Sequence, residues 1–168
     1  MRPYLSKSIR QLRHLLKDMP VGMLTTQTSD GGTHSRPMVV HDVDESGWLW
    51  FLTDRCSRKT LELVQNPQTT IAFQSPRGDR YVSVQGTAVI VQDDVKVRRM
   101  WKPALSAWLP RGSIDTEIVL VAVRVERAEY WRVPRRLGLA VGMVKSYLTR
   151  RQTDAGYHGV LDLHAAPV

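Results

Sequence analysis

The stretch Phe51-Leu-Thr-Asp-Arg-Cys-Ser-Arg-Lys-Thr-Leu-Glu-Leu-Val-Gln-Asn66 decides how the rest of the chain is read. It is entered from a strand, because residues 48–52 are aromatic and apolar, with high strand propensity. Residues 53–56 are polar and read as a turn. Ser57 stands just before a helical pattern in which Leu61, Leu63 and Val64 are expected to face inward. Serine is a preferred N-cap because its oxygen accepts an orphan backbone N–H. Asn66-Pro67 ends the helix, since a residue before proline resists the α conformation.

Arg58 and Lys59 open that helix, where the dipole favours acids. Two cations at this end have two readings. One is a solvated, charged helix end. The other is an anion site, because free N–H groups at a helix start combine with a guanidinium and an ammonium to suit a phosphate dianion.

The pattern Thr53-x-x-x-Ser57-Arg58-Lys59, followed by a short helix ending in Asn66-Pro67, resembles the flavin-phosphate motif of the pyridoxamine 5′-phosphate oxidase-like FMN-binding split barrels. Arg36-Pro37-Met38-Val39-Val40 resembles a second FMN segment of that superfamily, and Ala128-Glu129-Tyr130-Trp131 the strand end near a third. The order and spacing of the three carry the resemblance, which spans residues 12–133 and is nearest to the general stress protein branch. It implies an α+β fold: a six-stranded antiparallel split β-barrel with peripheral helices, dimerising with FMN in grooves between subunits. It also implies roles. Arg36, Ser57, Arg58 and Lys59 would hold the phosphate. Met38, Val39, Leu52 and Thr53 would line the ring and ribityl chain, largely through backbone groups, and Trp131 would approach from the other subunit. True pyridoxamine 5′-phosphate oxidases carry a lysine where His41 falls and a substrate-binding Arg-x-His after the C-terminal tryptophan. Here Arg132-Val-Pro-Arg-Arg-Leu-Gly follows Trp131, with no histidine before His158. The resemblance therefore implies a retained cofactor pocket without the vitamin substrate site.

The chain has 168 residues, enough for one domain with a real core. We divide it into a barrel domain, 1–133, and a cationic, partly helical extension, 134–168. No apolar run approaches the roughly 18 residues that span a bilayer, and no signal-peptide pattern opens the chain. Cys56 is the single cysteine, which fits a reducing, cytoplasmic compartment. Beside Arg55 and Arg58 its thiol is open to downward tuning, although a small turn residue is the simpler reading. The net charge of +8 favours anionic partners, and cations are locally concentrated at Arg132, Arg135, Arg136, Lys145, Arg150 and Arg151. No nucleic-acid-binding signature accompanies them.

In chain order, residues 5–17 place Leu5, Ile9, Leu12, Leu15 and Leu16 at helical spacing. Residues 21–27 and 33–40 form a hairpin about Ser29-Asp-Gly-Gly32, with Arg36, Met38 and Val40 on one face. Pro37 marks the second strand as an edge or a special site, because proline cannot donate to a ladder. Strands follow at 47–53, 69–74 and 81–91, with Gly86 marking a bulge or bend. A helix is expected at 93–101 and can extend through 105–111, before a last strand at 117–131 that is apolar on both faces. One of those faces suits a barrel core and the other a subunit interface. Residues 137–148 read as weakly helical and 153–168 as loosely ordered.

No acid–base pair, metal-ligand spacing, nucleophile elbow or phosphate loop stands out. The functional expectation is an FMN-dependent oxidoreductase or flavin reservoir, homodimeric, stress-related and without a metal. The alternatives are a barrel binding deazaflavin or haem, and a nucleic-acid or anionic-surface binder using the cationic C-terminal segment. Flavin chemistry needs few protein acids or bases, because the isoalloxazine carries the electrons.

Overall fold

The computed structural model describes residues 3–103, 105, 117–133 and 157–163. Apart from Leu105, the expected helices at 105–111 and 137–148, and most of the cationic C-terminal cluster, lie outside the described residues. Helix α1 (Pro3–Leu16) leads into β1 (Val21–Gln27), β2 (Thr33–Val39), β3 (Asp42–Val43) and β4 (Trp48–Asp54). Helix α2 (Arg58–Gln65) separates these from β5 (Gln68–Gln74) and β6 (Arg80–Val91). Helix α3 (Asp94–Met100), β7 (Ile118–Arg132) and β8 (Tyr157–Asp162) complete the order.

The strands form one curled antiparallel sheet in the order β2-β1-β5-β6-β7-β4-β3. This is the split barrel that the motifs imply, with two strands beyond the six expected: the two-residue β3, and β8. β7 is long enough to serve two neighbours along one edge. Its first half pairs with β4, from Asp54↔Ile118 to Trp48↔Arg124, and its second half with β8, from Arg127↔Asp162 to Arg132↔Tyr157. Within the tail expected at 153–168 to be loosely ordered, residues 157–163 are instead built into the sheet and core, and the others lie outside the described residues. Leu161 and Leu163 enter the main core, and Leu163 N–H donates to the Glu126 carbonyl.

Burial follows the alternation of the strands. Leu24, Leu49, Phe51, Ile71, Val82, Val84, Val121 and Val123 meet Ile9, Leu12 and Leu15 of α1 in the barrel interior. Each such side chain contributes roughly 1.5–3 kcal/mol on leaving water. The opposite face of β7 presents Ile118 and Leu120, which pack with Leu52, Val97 and Leu105, against Trp50, Met100 and Trp101. The second apolar face expected to need a subunit partner is therefore covered from within the chain by α3. Helix α3 itself starts on Asp93, whose carboxylate accepts from Lys96 N–H.

Two local signals read from the sequence have clear physical causes. β2 is a terminal strand of the sheet, as Pro37 requires. At Gly86 the β6–β7 register shifts, and a Cβ there would lie 2.2 Å from the Arg124 carbonyl oxygen, so only glycine allows the approach.

Candidate functional site

The sheet is not closed between β2 and β4. His41 N–H donates to the Trp50 carbonyl at one end of this seam. β3 pairs with β4 only at Trp50 and Leu49, so beyond Trp50 the outer edge of β4 has no strand neighbour among the described residues. β2 pairs only with β1. Alternate backbone N–H and C=O groups of residues 36–39 and 51–53 are thereby left for something other than a strand. The side chains here are committed elsewhere: Met38 to the main core, Leu52 to the α3 cluster, and Thr53 is buried, while Val39 is exposed. The seam offers mostly main chain.

The other end of the seam is closed by α2. Ser57 occupies the N-cap position, but its hydroxyl makes no cap bond. Ser57 Oγ lies 2.8 Å from Thr60 Oγ1, which itself donates to the Asp54 carbonyl, and 3.4 Å from Thr53 Oγ1. The serine therefore donates sideways to Thr60, and its hydroxyl can donate to an anion only after rotating away from that partner. The expected serine cap is corrected on this point.

Helix α2 is also rotated from the expected orientation. Of the three apolar residues, Leu63 is buried, but Leu61 and Val64 are 58% and 69% exposed. The helix instead buries Thr60 and Glu62. The cause is the polar strand end beneath it. Glu62 Oε2 accepts from Thr26 Oγ1 at 2.5 Å and Arg36 Nη2 at 2.8 Å. Its Oε1 lies 2.8 Å from His34 Nδ1 and accepts from Arg58 Nε at 3.1 Å. Arg36 Nη1 donates to Thr26 as well. Burial alone would raise the Glu62 carboxyl, but the bonds from Thr26, His34 and Arg36, with the Arg36 charge, hold it at about 2. Nothing in the residue spacing singled out Glu62, His34 or Thr26. The available signal was the alternation that places Thr26, His34 and Arg36 on inward faces.

Lys59 is the complement of this network. Half-buried, it makes no hydrogen bond or ion pair among the described residues, and desolvation followed by the Arg36 charge pulls its pKa below the ordinary lysine value. A desolvated ammonium beside a guanidinium at a helix N-terminus is chemically suited to an anion.

Trp131 is not brought to this cluster within one chain. Thr53 pairs with Val119, and Trp131 lies twelve residues further along β7, about 40 Å of strand at most. There it is 38% exposed, stacked on His158 at 5.1 Å between ring centroids, and flanked by Tyr81 in the β6–β7 register. His158 Nε2 lies 3.3 Å from Glu129 Oε2. Sequence distance hid this histidine, and β8 delivers it to the tryptophan. Cys56 is exposed, and its thiol is raised, by desolvation and the carboxylate of Glu117 3.7 Å away. Downward tuning by Arg55 and Arg58 is thus corrected. Near the closed end of the seam a cleft of about 270 Å³ is lined by Arg13, Lys17, Val40 and His41. Among the described residues there is no cluster of His, Cys, Asp or Glu that can hold a metal, and no helix long and apolar enough to cross a membrane.

The curled antiparallel sheet, open along one backbone seam and flanked by short helices, is a split β-barrel. The chain belongs to the pyridoxamine 5′-phosphate oxidase-like family, whose model matches residues 7–154. It is 29% identical over 136 residues to the protein bli-3 of Neurospora crassa, covering 75% of this chain and 65% of that one. It is 32% identical over 94 residues to a pyridoxine/pyridoxamine 5′-phosphate oxidase of Nostoc, covering 54% of this chain and 44% of the relative. The chain thus spans less than two thirds of the length of either relative. Among solved structures, the general stress FMN/FAD binding protein of Xanthomonas citri superposes with a TM-score of 0.61 at 28% identity, over 74% of this chain and 87% of that one.

Proposed function

We propose that this protein is an FMN-binding flavoprotein of the general stress protein type, acting as a cytoplasmic flavin-dependent oxidoreductase on a substrate other than pyridoxamine 5′-phosphate. The observation that carries this reading is the half-buried Lys59 ammonium, with no acceptor among the described residues, beside Arg36 and the start of α2. Lys59, Arg58, Arg36 and the Ser57 hydroxyl would hold the phosphate, and the edges at Met38, Val39, Leu52 and Thr53 would receive the ribityl chain and ring through backbone groups. The flavin ring supplies the electron chemistry when bound; the protein orients it and keeps water from one face. The flavin-binding neighbour supports the cofactor class.

The site is completed in a homodimer. Within one chain Trp131 lies twelve residues along β7 from Val119, the partner of Thr53, about 40 Å of strand at most, and a second copy would supply the tryptophan to the site. The surface that suits this contact is the outer sheet face carrying Val21, Met23, Val39, Tyr81, Val160 and Trp131, all exposed in the single chain. The loss of Arg-x-His after Trp131 argues against the vitamin substrate, and His158 stacked on Trp131 occupies that neighbourhood in its place.

The test is a flavin titration. FMN should quench on binding and bind wild type at least tenfold tighter than riboflavin, a difference of about 1.5–3 kcal/mol per charge-assisted bond lost. Arg58→Ala with Lys59→Ala should erase that preference. Deazaflavin and haem serve as competing ligands, and FMN affinity unchanged in the double variant would refute the assignment.

A further inference from the structure

The cleft at the His41 end of the seam takes no part in the anion cluster on α2. It lies between the end of α1 and the link from β2 to β3. Its floor is apolar: Leu16 and Met19 are buried, and Val40 packs against the same core. Its rim is charged. Arg13 stands in the last turn of α1 and Lys17 just past it, four residues apart and so on one face, while Asp42 adds a carboxylate. Both cations are exposed, and neither makes a hydrogen bond or ion pair among the described residues. The helix dipole favours cations at this end, but it does not require that they border an apolar hollow of about 270 Å³. His41 lines the same hollow. Its Nδ1 is closed off from solvent with no hydrogen-bond partner among the described residues, an uncommon state for a buried polar atom. Burial, followed by the charge of Lys102, holds the imidazole below its ordinary pKa.

The backbone donors around this cleft are spent inside the chain. Met19 N–H donates to the Leu16 carbonyl, Val40 N–H to the Pro20 carbonyl and His41 N–H to the Trp50 carbonyl. A phosphate cradle of backbone N–H groups is therefore not what these residues offer. They offer a guanidinium fork and an ammonium above an apolar floor. Such a fork pairs with a carboxylate through two parallel N–H···O bonds. We propose that the cleft is a binding site for a small organic carboxylate with an apolar body. Arg13 and Lys17 hold the carboxylate, and the body sits on Leu16, Met19 and Val40 beside His41. The volume falls just under the roughly 300–1,000 Å³ of small-molecule pockets, which limits the body to about one aromatic ring. The site lies beyond the edges at Met38, Val39, Leu52 and Thr53, and it does not rest on the flavin reading.

The experiment titrates benzoate into the full chain and follows the five histidine imidazoles by NMR. The His41 signal is the one missing from His41→Gln. Benzoate should move that signal saturably. It should bind at least about tenfold tighter than benzamide, which keeps the ring without the charge. Acetate, which keeps the charge without the ring, should also bind at least about tenfold more weakly than benzoate. Arg13→Gln with Lys17→Gln should erase the preference for benzoate over benzamide and leave benzamide unchanged. Both side chains are exposed, so the fold should be retained, as circular dichroism checks. Benzoate bound no tighter than benzamide, an unmoved His41 signal, or unchanged benzoate affinity in the double variant overturns the proposal. Tighter binding of phenyl phosphate than of benzoate overturns the carboxylate class. Saturating FMN should leave benzoate in place, and competition between the two would make the cleft part of the flavin site and overturn the proposal. A chain that binds benzoate at His41 but no FMN overturns the flavin reading and leaves the carboxylate site standing.

Discussion

Arg36 Nη2 lies 2.8 Å from Glu62 Oε2, so the strand arginine is held in place by the helix that packs over it. Strand β2 and helix α2 are thereby locked through a buried carboxylate. The lock has a pH signature. The folded Glu62 value of about 2 is depressed from an ordinary 4.5. Its stabilising effect is present above the ordinary value and is lost as pH falls from there toward 2, on the order of 3 kcal/mol in all. Denaturant unfolding of wild type and Glu62→Gln should therefore differ most above pH 5 and converge toward pH 2. A gap that does not narrow with acid would show that the carboxylate is not ionised in the fold.

Lys59 has the opposite sign. Its pKa is depressed, so at neutral pH the charged lysine costs the unliganded protein stability. Lys59→Met should raise the melting temperature of the unliganded protein, by roughly 2–4 °C per kcal/mol relieved, while weakening FMN. Phosphate should stabilise wild type and not the variant. A drop in the melting temperature of unliganded Lys59→Met would place a structural partner on this ammonium.

Gly86 tests the barrel rather than the site. A Cβ at this position meets the Arg124 carbonyl oxygen at 2.2 Å and the Val123 side chain at 3.1 Å. Backbone cannot yield as a flexible side chain does. Gly86→Ala should cost more than about 3 kcal/mol, near the upper end for single substitutions, read as loss of soluble, folded protein or a large fall in the urea midpoint. A near-neutral result would mean that the bulge relaxes.

Much of this was legible because it depends on local rules. Strand alternation placed Val121 and Val123 opposite Ile118 and Leu120, Pro37 marked an edge, and the Gly86 bulge followed from a glycine inside an apolar run. The candidate site was legible as cations at a helix start. What was hidden needed tertiary knowledge. Leu61 and Val64 looked buried because hydrophobic spacing was weighed without the polar strand end that draws Glu62 inward. Residues 157–162 lacked any strong periodic signal, and they pair because β7 extends past β4 and leaves an edge open. Glu62 reads as an ordinary surface acid until Thr26, His34 and Arg36 arrive from two strands.

Trp131 supplies the sharpest test of assembly. If the flavin site joins Lys59 of one copy to Trp131 of another, neither residue works with its own chain's partner. Trp131→Ala should then weaken FMN without altering the fold, since the ring is 38% exposed and makes its contacts with His158 and the neighbouring strand. Arg58→Ala/Lys59→Ala should weaken it independently. When the two weak-binding proteins are unfolded together and refolded, half of the dimers are mixed, and each mixed dimer holds one intact site and one doubly defective site. About a quarter of all sites should then regain wild-type FMN affinity, as a two-fold symmetric site shared between subunits requires. If the site lay within one chain, mixing would restore none, since each chain carries its own lesion. Recovery near one quarter in a fluorescence titration supports the shared site, and no recovery, with mixed dimers demonstrated by mass spectrometry, would place the flavin within a single chain.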